Sequence, residues 1–149
     1  MHQLIHLILN TMNPKDFFNT IYLGDRACKE ISIDFWNNVI RLKIDCIART
    51  TPPVCQWGFN ENNQIDDGNL VFSGVVSYEM NPQGIFANDY IYEYFIENVY
   101  NDETGVIYVF VFEMGYAKTI SDGGSMTVKI EARDLWIEDP KIPGVRITE

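Results

Sequence analysis

Ile31-Ser-Ile-Asp-Phe-Trp-Asn-Asn-Val-Ile-Arg-Leu-Lys-Ile44 alternates apolar and polar residues on either side of one interruption, Asn37-Asn38. Asn tolerates the positive φ that a two-residue hairpin turn requires of both central residues, so the stretch predicts two antiparallel strands folded back over that turn. With Asn37 and Asn38 in the turn, Phe35 faces Ile40, Ile33 faces Leu42 and Ile31 faces Ile44 on one side. The other side sets Asp34 against Arg41 and Ser32 against Lys43, with Glu30 diagonal to Lys43. Cross-strand pairs of this kind contribute roughly 0.2–1 kcal/mol each. A slip of one residue would turn every apolar side chain to the opposite face, so the register is strongly specified. The hairpin reads as scaffold, because nothing on its polar side has catalytic character.

Working outward, Asn13-Pro14 with Asp16 in the first turn predicts a helix start, and Pro14 to Leu23 a short helix stopped by Gly24. The hairpin strands are expected over about 26–36 and 39–49. Thr50 to Asn69, rich in Pro, Asn, Asp and Gly, reads as a long irregular connection. Strands follow over 70–80, near 89–100, over Val106–Phe112 and over Ser125–Trp136, separated by turns at Asn81–Gly84, Asp102–Gly105 and Asp122–Gly124. Val106–Phe112 is apolar on both faces and is expected to be a central, doubly covered strand. The expected fold is α+β, with a short N-terminal helix packed on a mostly antiparallel curved sheet of about six strands. A small β-sandwich is the alternative.

The chain has 149 residues, 46% hydrophobic and 21% charged, which suits a single folded domain rather than a disordered one. Met12-Asn-Pro resembles a natural beginning, so residues 1–11 are read as an extension and 12–149 as one globular domain. No apolar run approaches the roughly 18–20 residues of a transmembrane helix. Three cysteines, Cys28, Cys46 and Cys55, fit buried free thiols in a reducing, cytoplasmic setting better than a disulfide framework.

Several chemistries lack their residues. The two histidines, His2 and His6, both precede Met12, so Ser-His-Asp and Cys-His mechanisms have no general base in the main body. The cysteines lack the short paired spacings of a zinc site, and no Gly-rich phosphate loop occurs. The Asn60–Asn69 stretch does not meet the glycine and glutamate positions of a calcium loop. No catalytic residue, metal site or cofactor is expected. Glu93 and Glu97, with Glu79 and Glu113 on other strands, leave a carboxylate-dependent hydrolase as one alternative, which would need two acids about 5–9 Å apart in a cleft.

Charge is the strongest functional signal. The chain carries 11 basic and 21 acidic residues, a net charge of −10. Between Arg49 and Lys118 there is no Lys or Arg, while ten Asp and Glu fall in that interval. The whole net charge therefore belongs to the central loop and the strands after it. Such a region steers a basic partner and disfavours nucleic acid and acidic membrane surfaces. Tyrosines are interleaved with the acids, and Tyr90, Tyr92 and Tyr94 are expected on one strand face. The candidate partner-binding residues are Asp66, Asp67, Tyr90, Tyr92, Glu93, Tyr94 and Glu97, since tyrosine is enriched at interface hot spots. A small-ligand or carbohydrate module using the same aromatic face is the other alternative.

The order of Asn13-Pro-Lys-Asp-Phe-Phe18, Tyr22-Leu-Gly-Asp-Arg-Ala-Cys28, the hairpin, Phe72-Ser-Gly-Val-Val-Ser-Tyr78 and Ile130-Glu-Ala-Arg-Asp-Leu-Trp136 resembles a family of small uncharacterised bacterial domains. In size, acidity and strand content the chain is also similar to immunity proteins that neutralise bacterial toxins. That likeness implies a non-enzymatic cytoplasmic inhibitor whose partner is a basic protein, such as a toxin domain. It supplies no residue assignments.

Overall fold

The computed structural model describes residues 12–50, 64–117 and 123–149. The extension expected over residues 1–11, Cys55 and most of the loop expected after Thr50 lie outside the described residues. Helix α1 (Pro14–Phe18) starts as expected, with the Asn13 side chain accepting from the Asp16 N–H at 2.8 Å. It lasts five residues rather than ten. Thr20 turns its hydroxyl back to the Phe17 carbonyl at 2.7 Å, and Ile21–Tyr22 form strand β1 against Ala48 and Arg49 instead.

Eight further strands follow: β2 (Arg26–Asp34), β3 (Val39–Arg49), β4 (Gln64–Ser73), β5 (Ser77–Asn81), β6 (Tyr90–Asn101), β7 (Val106–Tyr116), β8 (Gly124–Ala132) and β9 (Asp134–Glu138). They form one nine-stranded antiparallel sheet in the order β5-β8-β7-β6-β2-β3-β4-β9, with β1 beside β3. The α+β expectation is therefore corrected, as is its alternative. The protein is almost all sheet, and its single described helix is a one-turn plug carrying Phe17 and Phe18 into the core.

The opening hairpin keeps its faces and changes its turn. Ile33 pairs with Ile40 and Ile31 with Leu42, two residues away from the expected register, so Ile31, Ile33, Ile40 and Leu42 keep one face while Phe35 leaves it. The loop is Phe35–Asn38. Asp34 accepts from the Asn37 N–H at 3.0 Å, and Asn38 takes the left-handed conformation (φ 57°). A four-residue loop of this kind is a standard hairpin closure. The consequence is large for two aromatic side chains: Phe35 is 76% exposed and Trp36 91%.

Closure of the sheet comes from two bent strands. β4 pairs with β9 from Asn69↔Glu138 to Ser73↔Asp134, and β5 pairs with β8 from Ser77↔Glu131 to Asn81↔Thr127. β4–β5 and β8–β9 are thus two long strands running side by side, both bent at the same level. The bend is at Gly74 (φ 58°), where a Cβ would stand 3.0 Å from the Arg133 Cβ, and at Arg133, whose N–H donates to the Ser73 carbonyl. On the far side the ladder is joined by only two pairs, Arg26↔Ile91 and Ala27↔Tyr90 of β2 and β6. The sheet therefore folds on itself, closed along the bent pair and nearly open along the β2–β6 seam.

Its inner faces meet through aromatic rings. Phe72 of β4 lies 5.0 Å from Phe110 and 5.9 Å from Phe112 of β7, and Phe18 packs on both. Each large apolar side chain buried in this way contributes roughly 1.5–3 kcal/mol. β7 is the central strand of its half. Val109 and Val111 are buried on its outer face, and Phe110 and Phe112 on its inner one.

Candidate protein-binding face

The seven residues expected to form one site are separated by the fold. Asp66 and Asp67 lie on β4, where Asp66 pairs with Cys46 of β3, so β2 and β3 stand between them and β6. Asp67 is held by the Lys29 ammonium at 2.8 Å, and this hydrogen bond lowers its carboxyl below the usual range. On β6 the register shifts between Ile91 and Glu93. This bulge places Tyr94 opposite the buried Phe112, with its ring 6.0 Å from Phe18, so Tyr94 belongs to the core side. Burial raises its hydroxyl pKa. Tyr90 and Tyr92 stay in solvent at 56% and 57% exposure. The expected three-tyrosine face is thus reduced to two.

Glu93 and Glu97 do face outward, and the sheet surrounds them with acids that the sequence placed on other strands. Across β6, β7, β8 and β5, one row reads Glu93, Glu113, Thr127. The next reads Phe95, Val111, Lys129, Glu79, and a third reads Asn98, Val109, Glu131, Ser77. Five glutamates, Glu79, Glu93, Glu97, Glu113 and Glu131, therefore share the outside of this half of the sheet with one cation among the described residues of these rows, Lys129. The Lys129 ammonium donates to Glu97 at 3.0 Å. That bond, reinforced by the charges of Glu97, Glu79 and Glu131, raises its pKa. Thr127 donates to Glu113 at 2.8 Å, and Tyr100 and Ser77 both donate to Glu131.

Glu93 stands directly opposite Glu113. Like charges opposed across a ladder destabilise it, so this pair costs the fold something. The other half of the sheet is arranged differently. Three of its acids are matched by cations: Glu138 by Arg41 at 3.0 Å, Glu30 by Lys43 at 3.4 Å and Asp67 by Lys29. There the C-terminal segment adds Arg146 over the Trp136 ring at 4.1 Å and an Ile147↔Ile137 bridge. Of the two halves, the strands β5 to β8 thus carry the larger excess of acids over bases.

Other chemistry is weakly represented. Cys28 is half-buried and its thiol is pushed up to about 12 by desolvation, so it is protonated near neutral pH. Cys46 is shifted in the same direction, again by burial, and both thiols are free. Among the described residues no three His, Cys, Asp or Glu side chains converge as a metal site would require. No described helix is long and apolar enough to cross a membrane.

Residues 12–149 match the model of a family of unknown function (DUF6258), and the chain belongs to that family. No curated protein and no solved structure matches the chain.

Proposed function

We propose that the chain is a non-enzymatic binding protein whose acidic face, on the outside of β5, β8, β7 and β6, takes a basic protein surface. The observation that carries this reading is the Glu93–Glu113 opposition within a set of five glutamates around Lys129. A cationic partner would neutralise a repulsion that the free fold tolerates, and the half-exposed Phe95 supplies an apolar contact among the acids. Charge of one sign on one face raises association rate and selects partners of the opposite sign. An immunity-type inhibitor that masks a basic toxin domain in the cytoplasm fits these properties most specifically.

The test is affinity capture from the source cell's lysate with the wild-type chain and with a Glu79→Lys/Glu93→Lys variant, checked by thermal melting to be folded. A basic protein retained by the first, released at moderate salt and lost by the second, is the expected outcome. Equal retention by both, or retention insensitive to salt, would remove the acidic face from the binding reaction.

A further inference from the structure

Two strand edges in the folded sheet have no described neighbour over most of their length, and they border the same opening. Among the described residues, β2 pairs with β6 only at Arg26 and Ala27, which leaves its edge from Cys28 to Asp34 without a described neighbour, and β5 pairs only with β8. Between them lies a cleft in two parts. The outer part, about 330 Å³, is lined by Ile33, Phe35, Val76 and Tyr78, with the Phe35 and Tyr78 rings 6.4 Å apart. The inner part, about 680 Å³, reaches past Cys28, Ile31 and Met80 to Met114 and Met126 of the core.

We propose that this cleft receives an extended, basic segment of a partner protein as an added strand. The inference rests on the reading that the chain binds a protein, and of the acidic face it uses Glu79 alone. An exposed strand edge presents unpaired N–H and C=O groups in a repeating row, and an extended peptide satisfies such a row while its alternate side chains fill pockets beneath. The pockets have that period here. Ile31, Ile33 and Phe35 line one lip, two residues apart, and Tyr78 and Met80 line the other. Three methionines, Met80, Met114 and Met126, make the floor adaptable to different apolar side chains. Lys29 and the bulge between Cys28 and Glu30 blunt the start of this edge, whereas Ile31-Ser-Ile-Asp34 carries no proline or lysine.

Charge selects the segment. The charged residues lining the cleft are Lys29, Glu30 and Asp34; Lys29 is paired with Asp67 and Glu30 with Lys43, which leaves Asp34, whose carboxylate accepts from Asn37, as the acid of this lip. Glu79 stands between Tyr78 and Met80 on the opposite lip. An incoming strand with apolar residues inward therefore presents its alternate residues to carboxylates, and Lys or Arg suits them. Phe86, which lines the inner part, and Trp36, next in sequence to Phe35, are both nearly fully exposed, and aromatic residues are enriched at interface hot spots.

The experiment uses the full chain with the synthetic peptide Lys-Val-Lys-Val-Lys-Val-Lys, the same peptide with a central proline, and Glu-Val-Glu-Val-Glu-Val-Glu. Hydrogen–deuterium exchange is followed by mass spectrometry. The basic peptide is expected to slow exchange at least tenfold in segments covering 28–34 and 77–81, and the other two are not. Phe35→Ser/Tyr78→Ser, at exposed positions, is expected to weaken binding at least tenfold, whereas Glu93→Lys is expected to leave the protection of both edges in place. Binding that leaves both edges unprotected and disappears in Glu93→Lys would overturn the cleft while keeping the acidic face. No binding of the basic peptide at millimolar concentration, with uptake of a small apolar dye into the cavity, would overturn it in favour of a small-ligand site.

Discussion

Replacing Glu93 by Gln should stabilise the free protein and weaken it as a binder. Glu93 and Glu113 occupy directly opposed positions on β6 and β7. Side chains so placed have Cβ atoms about 4.5–5.5 Å apart, and two like charges about 6 Å apart repel by roughly 0.7 kcal/mol in a water-like dielectric. Thr127 donates to Glu113 and spreads its charge, and both acids reach solvent, so the lower end applies. We expect Glu93→Gln to raise the unfolding free energy by about 0.5–1 kcal/mol at low salt. At 1 M salt the screening length falls from about 10 Å at 0.1 M to about 3 Å, and less than half of the gain should remain. Urea unfolding at both ionic strengths measures this. Glu138→Gln is the control with opposite sign, because Glu138 accepts from Arg41 at 3.0 Å. If Glu93→Gln proved neutral or destabilising at low salt, the two carboxylates would not oppose each other, and the argument for a cation-seeking face would lose its basis.

Four further outcomes are expected. A double-mutant cycle of Phe72→Leu and Phe110→Leu, whose rings are 5.0 Å apart across the fold, should show a coupling of about 0.5–1.5 kcal/mol; additivity in urea unfolding would mean that the halves do not face each other. Gly74→Ala, at φ 58° and against the Arg133 side chain, should cost about 1–2 kcal/mol, and a neutral result would remove the shared bend. Arg133 hydrogen-bonds Asp102 and holds its carboxyl far below the normal range, helped by the Thr104 N–H. A depressed folded pKa contributes stability above the ordinary carboxylate value that is lost as pH falls below it, so the acid slope of the urea midpoint should flatten in Asp102→Asn. Cys28, half-buried and pushed up to about 12, should react with iodoacetamide at pH 8 more slowly in the native chain than on unfolding, as peptide mass spectrometry would show.

What the sequence revealed was local. Alternation located the hairpin strands and the apolar run of β7, because the period of two is a property of each strand alone. It failed where one residue answers to another far away. The helix expected to reach Leu23 stops early because β-branched Thr20 and Ile21 are drawn to β3. Asp66-Asp67-Gly68 falls in the irregular connection expected over Thr50 to Asn69, yet it lies inside β4, where a Cβ on Gly68 would stand 2.9 Å from the Ile47 side chain. Tyr94 was expected beside Tyr90 and Tyr92 because a bulge leaves no mark in the letters. Glu79, Glu113 and Glu131 were visible as strand glutamates, but strand order decides which acids become neighbours. No periodicity encodes that β6 lies beside β7, β7 beside β8 and β8 beside β5.

The same strand order explains why the two proposed contacts suit one partner. β5 is narrow and serves both. Its inward residues Tyr78 and Met80 line the cleft, while Glu79 and Ser77 point to the acidic face, opposite Lys129 and Glu131. A basic strand laid against the β5 edge would bury its apolar side chains beside Tyr78 and bring its lysines within reach of Glu79. A flat charged face alone gives speed of encounter and sign selection, and it carries little geometric information. An edge and its pockets fix register and direction, because hydrogen bonds repeat along the backbone and side chains must fall alternately. Long-range charge to gather the partner and a shaped cleft to hold it are complementary requirements, and the bend at Gly74 lets one short strand take part in both.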